Sequence, residues 1–411
     1  MRSSRTEALS GIKVLDLCRV VSGPFATMHL GDLGADVVKI EDPRHGDESR
    51  RYGPPFIGTE SAYFLSVNRN KRSCAVDLKS PAGRDVVMAL AGVADVVIDN
   101  FRPGTLDKWG LSYQAMSTKN PRLVQCSISG FGRTGPDADR PGYDLILQGE
   151  GGVMDITGDP NGPPMKVGTS IADLVTGLYA SQAVLAALMK REKTGQGVRV
   201  DVSMLDAMAS LLTFNAGMYF ASGESPKRRG NVHPTISPYE TFEASDGWFN
   251  VGVANDKFWG IFCEVIERKE LETDPRFDAA PKRAANRPAL VELLKPIFVS
   301  RTRSAWLKVL HKAGIPCGAI KTVGEVCETP QLVERNMVQS VRHEVAGEVK
   351  FVARPLRFDD LAPAPSTPPP LLGEHTSEVF LEWLGWSSDA LAKFAAAGAF
   401  GRPAPLKQPA E

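Results

Sequence analysis

Short β-branched runs alternate with helix-length patterns through the first two hundred residues. Lys13–Cys18 (KVLDLC) reads as a strand, and a helical pattern over Phe25–Leu33 follows it and stops at Gly34. Asp36–Glu41 (DVVKIE) is the next strand, Cys74–Leu78 is extended, and Ser80 caps a helix that has Pro81 at its first position. Asp95–Phe101, Leu123–Ser129 and Val198–Ser203 complete the strand set. The longest helical pattern carries Ile171, Leu174, Val175, Leu178, Leu185 and Leu188 on one repeat, with Lys190, Arg191 and Lys193 in its last turn and Gly195 as its stop. Strands separated by helices imply βαβ units, hence an α/β, Rossmann-like domain with an open parallel sheet covered on both faces.

The pattern then changes. Gly223–Gly230 (GESPKRRG) is polar and marks a boundary. Beyond it, two strands flank Asp246-Gly247, a hairpin signal, and Asn255 caps an amphipathic helix. A large domain over 1–222, a small α+β domain over 223–328 and a C-terminal segment over 329–400 returning to the large domain are expected. The Pro-rich run APAPSTPPP (362–370) reads as an extended linker, and 401–411 as a disordered tail.

Lys+Arg and Asp+Glu both total 48. No net field therefore draws the chain to nucleic acid or to an anionic membrane, and a phosphate-bearing ligand must be held by local groups. With 43% hydrophobic residues among 411, the chain has apolar surface for one large core and a second. No run approaches the roughly 20 apolar residues of a bilayer span, and the residues before the first strand lack an h-region and are short for a transit peptide; a cytoplasmic protein is expected. The six cysteines are scattered without a C-x-x-C pair and the six histidines lack ligand spacing, so neither disulfides nor a metal site is expected.

Two motifs carry chemistry. Gly130–Gly135 spells G-x-G-x-x-G after a strand, but Pro136–Gly142 continues it as a loop, whereas a dinucleotide site needs a helix start there. Asp173 opens the long helix, and spacing leaves two readings. Ser170-x-x-Asp173 matches a capping box, in which the carboxylate only satisfies helix amides. A carboxylate held at a helix start, ionised and immobile, also suits a nucleophile toward a thioester, with nearby amides for the oxyanion.

The segments VVSGPFATMHLGDLGADVVKIE (20–41), GDESR (46–50), NRNKRS (68–73), DNFRPGTLDKWGL (99–111), SISGFGRTGP (127–136), PGYD (141–144), GTSIADLVTGLYA (168–180) and LLGEHT (371–376) together resemble the class III CoA-transferase family, to which formyl-CoA transferase belongs. Within it, the wording is most similar to members that exchange CoA between succinate and glutarate. The resemblance implies that Asp173 is the nucleophile. It would attack the donor thioester to give a mixed anhydride and CoA thiolate, and the thiolate would then convert the aspartyl group to a CoA thioester. An acceptor carboxylate, here a dicarboxylic acid, would run these steps in reverse. An aspartate of ordinary pKa, about 3.9, needs no general base for this.

By position, the resemblance places CoA contacts at Val21, Ser22, Val76, Asp77, Leu78, Lys79, Asn100, Phe101, Arg102, Lys108, Arg140, Tyr143 and Asp144. It implies CoA and acyl-CoA as substrates, no tightly bound cofactor, and an interlaced ring-like homodimer. Asp42 stands where formyl-CoA transferase has a CoA-contacting arginine, and the glycine-rich loop of that enzyme has no counterpart near Val251–Asn255. Arg19 or Arg50 is a candidate for the distal carboxylate of a diacid. The rival reading, an acyl-CoA racemase or epimerase of the same fold, requires a histidine in a GHD triplet; the chain has Gly142-Tyr143-Asp144.

Overall fold

The computed structural model describes residues 7–359 and 366–401. Six strands form one parallel sheet: β1 (Lys13–Asp16), β2 (Asp36–Glu41), β3 (Lys71–Ala75), β4 (Val96–Asp99), β5 (Val124–Ser129) and β6 (Arg199–Ser203). Their spatial order is β3-β2-β1-β4-β5-β6. The winding direction reverses between β1 and β4, and in an open α/β sheet a ligand sits in the crevice outside the carboxyl ends at such a point.

Alternation along the strands divides the interior into two layers, because successive side chains point to opposite faces. Val14, Val37 and Val96 pack on one face with Ala26 and Leu30 of α1 and with Ala180, Val184 and Leu188 of a long helix. Leu15, Val38 and Val97 pack on the other with Val86, Val87, Leu90, Val379, Phe380 and Trp383. The helices that matter below are α1 (Ser22–Asp32), α2 (Pro81–Ala91), α3 (Asp144–Glu150), α4 (Ile171–Thr194) and α5 (Thr376–Leu384). By length and hydropathy α4 would suffice for a bilayer span, against the expectation that no run would approach one; its buried stripe packs on the sheet.

The sheet also buries charge. Lys39 pairs with Asp47 at 2.8 Å and Lys71 with Asp16 at 3.1 Å, and all four side chains are sealed from solvent. Breaking one such pair leaves an uncompensated buried ion, at a cost of about 3–5 kcal/mol.

The chain divides into two compact units, and the described residues from Asn336 onward fall with the parallel sheet. The second unit comprises Asp155–Met165 and Glu224–Arg335. The first of these segments differs from the sequence expectation. It is drawn in by Arg228, which bonds Asp155 and the carbonyl oxygen of Gly162, and by the Gly230 amide on the carbonyl oxygen of Gly158. This unit has a three-stranded antiparallel sheet, β7 (Tyr239–Ala244), β8 (Gly247–Gly252) and β9 (Cys317–Ala319), over a core that includes Trp259, Phe262, Phe298 and Trp306. Ala244 pairs with Gly247, so the hairpin turns at Ser245-Asp246, one residue earlier than expected. A second hairpin, β10 (Val338–His343) with β11 (Gly347–Val352), belongs to the first unit. Residues 362–365 of the Pro-rich run and 402–411 of the tail lie outside the described residues.

Candidate active site

The site is built at the carboxyl edge of the sheet, from the loops that leave β1 and β4. After β1 the chain turns through Leu17–Val21 and enters α1 at Ser22. Lys39 donates its ammonium to the Cys18 carbonyl oxygen at 2.7 Å, and the Val20 amide donates to Asp47 at 3.1 Å. Asn100, just past β4, accepts the Arg19 amide at 2.9 Å and donates its own side-chain N–H to the Arg19 carbonyl at 2.7 Å. Both peptide groups flanking Arg19 are thus fully paired, and Val20 is held at φ 67°, a left-handed conformation that β-branched residues rarely adopt.

Helix α4 brings Asp173 to this turn. A Cβ on Gly177 would meet the Ser22 carbonyl oxygen at 2.7 Å and the Phe25 ring at 3.1 Å, so α1 and α4 approach closely there. Asp173 lies one turn earlier on α4, and its carboxyl is hydrogen-bonded by the Ser22 side chain.

The capping box suggested by the spacing does not form. Ser170 is the N-cap but makes no side-chain capping bond. The orphan amide of Ala172 is instead taken by Asp144, at 2.9 Å, from 28 residues away. Gln148 donates to the other Asp144 oxygen at 2.8 Å and accepts the Val167 amide at 2.8 Å. Asp173 is therefore released from capping duty. It is half-buried, and burial followed by the Asp144 charge pushes its pKa up to about 7, against the opposing bond from Ser22. This corrects the expectation of an ordinary carboxylate near 3.9. A helix start stabilises the charged form, but desolvation and a like charge outweigh it here.

Tyr63 completes the surround. Its hydroxyl bonds the Ser170 side chain, and burial together with the Asp173 charge raises its phenol above the usual range. Its ring stands edge-on to Tyr52, with centroids 5.3 Å apart.

The other expected residues are distributed along the same edge. Val21 and Val76 are buried as side chains, which leaves their backbones for any ligand contact. Asp77, Leu78 and Lys79 follow β3, with the Asp77 amide on the Ala399 carbonyl oxygen at 2.8 Å. Phe101 stacks under the Arg19 guanidinium at 5.1 Å. Lys79, Arg102 and Lys108 are exposed cations. Asp42 grips Arg44, at 3.1 Å. Arg140 is engaged by Glu150 at 2.6 Å and by Asp137 at 3.2 Å, and lies over the Phe131 ring. Gly130 and Gly142 almost touch, since a Cβ on Gly130 would stand 2.9 Å from the Gly142 Cα; this closes the glycine motif into a loop that delivers Tyr143 and Asp144 to α3.

Arg50 does not fit the role suggested for it. Glu41 holds it through two bonds of 2.7 Å, the Pro370 carbonyl oxygen takes a third, and Phe64 covers its face at 3.8 Å. Arg19 is 47% exposed and pairs with the similarly open Glu48.

Comparison with known proteins gives the family and the fold. A family model described as CoA-transferase family III matches residues 9–376. Succinyl-CoA:glutarate CoA-transferase of Homo sapiens is 39% identical over 95% of this chain and 89% of its own. Succinyl-CoA:mesaconate CoA-transferase of Haloarcula hispanica is 39% identical over 91% of this chain and 96% of its own. The crystal structure of a CAIB/BAIF family protein from Brucella suis superposes with a TM-score of 0.85 and 42% identity, over 92% of this chain and all of that one.

Proposed function

The chain belongs to CoA-transferase family III and is an enzyme of that type, and from that premise we propose that it carries CoA from succinyl-CoA to a short dicarboxylic acid through a covalent intermediate on Asp173. The observation that carries this reading is a half-buried carboxyl at the switch point of the sheet, freed from helix capping and faced by Ser22. Relatives whose names pair succinyl-CoA with glutarate or mesaconate support the choice of donor and acceptor.

In the proposed sequence an Asp173 oxygen attacks the succinyl thioester carbonyl, the C–S bond breaks, and CoA leaves as thiolate. The thiolate attacks the aspartyl carbonyl of the resulting anhydride, expelling succinate and leaving an aspartyl-CoA thioester. The acceptor carboxylate attacks that thioester and releases the thiolate again. The thiolate then takes the acceptor acyl group, and Asp173 returns as carboxylate. Ser22 orients the nucleophile. Lys79, Arg102 and Lys108 supply positive charge for the CoA phosphates, and Arg19 holds the distal carboxylate of the diacid.

A homodimer belongs to the same proposal. The helix Thr213–Ser222 has no buried residue and exposes Phe214 at 61%, Tyr219 at 47% and Phe220 at 80%. An apolar face of that kind fits an interface between copies.

Asp173→Ala tests the chemistry. It should abolish CoA transfer while CoA binding persists, and wild-type protein given succinyl-CoA should show an aspartyl adduct at position 173 on hydroxylamine trapping and peptide mass analysis. Wild-type turnover by the alanine variant would end the proposal.

A further inference from the structure

The residue at position 144 was expected to touch CoA. Its bonds point elsewhere. One oxygen accepts the Ala172 amide at 2.9 Å, which is the peptide nitrogen immediately before the nucleophile. The other accepts the Gln148 side chain at 2.8 Å. Gln148 is fully buried and passes the connection to the Val167 amide at 2.8 Å. The lead-in to α4 and the first turn of α4 are therefore both tied to α3 through one carboxylate. A neutral acceptor can cap a helix as well as an anionic one, so the choice of an acid beside another acid calls for a reason other than capping.

We propose that Asp144 is a positioning residue for the nucleophile: it sets the start of α4 and holds a second negative charge against Asp173, so that the attacking carboxylate is not quenched by its helix. The proposal rests on Asp173 being the acylated group.

The groups that act on Asp173 are few. Burial and Asp144 raise it and Ser22 lowers it, and among the described residues no cation is paired with it. Tyr63, from the helix Ala62–Val67, faces both carboxylates and is itself raised by them after burial. A nucleophile deprived of counter-charges is more basic and therefore more reactive once ionised. At neutral pH about half of it is available, which is the compromise a group attacking at that pH requires.

Asp144→Asn tests this, because asparagine keeps an oxygen for the Ala172 amide and removes the charge. Carboxyl-carbon NMR of labelled aspartate follows Asp173 without any need for turnover. The Asp173 midpoint, expected near 7 in the wild type, should fall by about one unit, and the acid limb of kcat/KM should move with it. Transfer at pH 8 should slow about three- to tenfold if carboxylates follow the nucleophile scaling found for thiols. Thermal stability should fall, because the asparagine amide nitrogen cannot accept the buried Gln148 N–H that the second Asp144 oxygen accepts, so the midpoint is read in the folded variant. Asp144→Ala removes cap and charge together and should lower both the midpoint and the melting temperature; Asp144→Ser offers a second neutral variant if asparagine is not tolerated. An unmoved Asp173 midpoint in a folded neutral variant overturns the inference. That result can be told apart from failure of the nucleophile assignment, which would appear as an active Asp173→Ala enzyme whatever the NMR midpoint does.

Discussion

The carbonyl oxygen of Ser22 occupies the space where a side chain on Gly177 would begin, 2.7 Å from the ideal Cβ position. That contact sets the distance between α1 and α4, and so the distance between Ser22 and Asp173. The obstruction is backbone, which cannot swing aside. Gly177→Ala would gain roughly 1 kcal/mol of helix propensity, but it forces the two helices apart, with an overpacking penalty of typically 1–3 kcal/mol. We expect a net loss of stability in urea melts, and a fall in kcat of tenfold or more with little change in the KM for succinyl-CoA. An alanine variant with unchanged kcat would show that the crossing does not position the nucleophile.

The raised pKa of Asp173 has a kinetic consequence. The free enzyme must lose a proton with a pKa of about 7 before it can attack. Below that pH kcat/KM should fall tenfold for each unit, because only the ionised fraction reacts. Initial rates with succinyl-CoA between pH 5 and 9 measure this directly. An acid limb near pH 4 would mean that Asp173 behaves as an ordinary surface carboxylate.

The same shift weakens the folded protein. Between the ordinary aspartate pKa of 3.8 and about 7, the folded state binds a proton at Asp173 that the unfolded chain has already released. Stability must therefore decline as pH rises through that window. Asp173→Asn removes the effect. The variant should be more stable than wild type at pH 8 by about 1–2 kcal/mol, after allowing for partial solvent screening of a half-buried group, and the gap should close by pH 4. Urea midpoints of the two proteins at both pH values test the sign as well as the size.

Local pattern made much of this architecture legible. The VVI and VLD runs alternate between the two cores, so Val14 and Leu15, or Val96 and Val97, identify strands without tertiary information. The third strand shows where that approach stops. Its observed span, Lys71–Ala75, begins three residues before the apolar run that suggested it, because Lys71 and Arg72 enter the sheet as charges matched to Asp16 and Asp36. Polar residues at buried positions carry no periodic signal. Asp173 failed to be resolved for a similar reason. Spacing offers Ser170 and Asp173 as a cap, and only the fold brings Asp144 to the Ala172 amide in the same first turn. Gly177, a small residue one turn after Asp173, was a visible hint of close helix approach that pattern reading passed over.

The strained turn at Val20 yields the last expectation. Its amide is held by Asp47, which is locked in turn by the buried ammonium of Lys39 at 2.8 Å. A left-handed, β-branched residue stores about 1–2 kcal/mol, and the ion pair over-determines the conformation. Glycine takes φ 67° without strain. Val20→Gly should therefore leave the melting temperature unchanged or slightly raised, with CoA transfer within a few-fold of wild type. Asp47→Ala removes the clamp and strands Lys39, which should cost about 3–5 kcal/mol. In the double variant glycine should return only the strain share, about 1 kcal/mol, since it relieves the turn but cannot neutralise the ammonium. Equilibrium denaturation of the four proteins gives these values; full recovery of stability in the double variant would mean that the backbone strain, and not the buried charge, is what Asp47 holds in check.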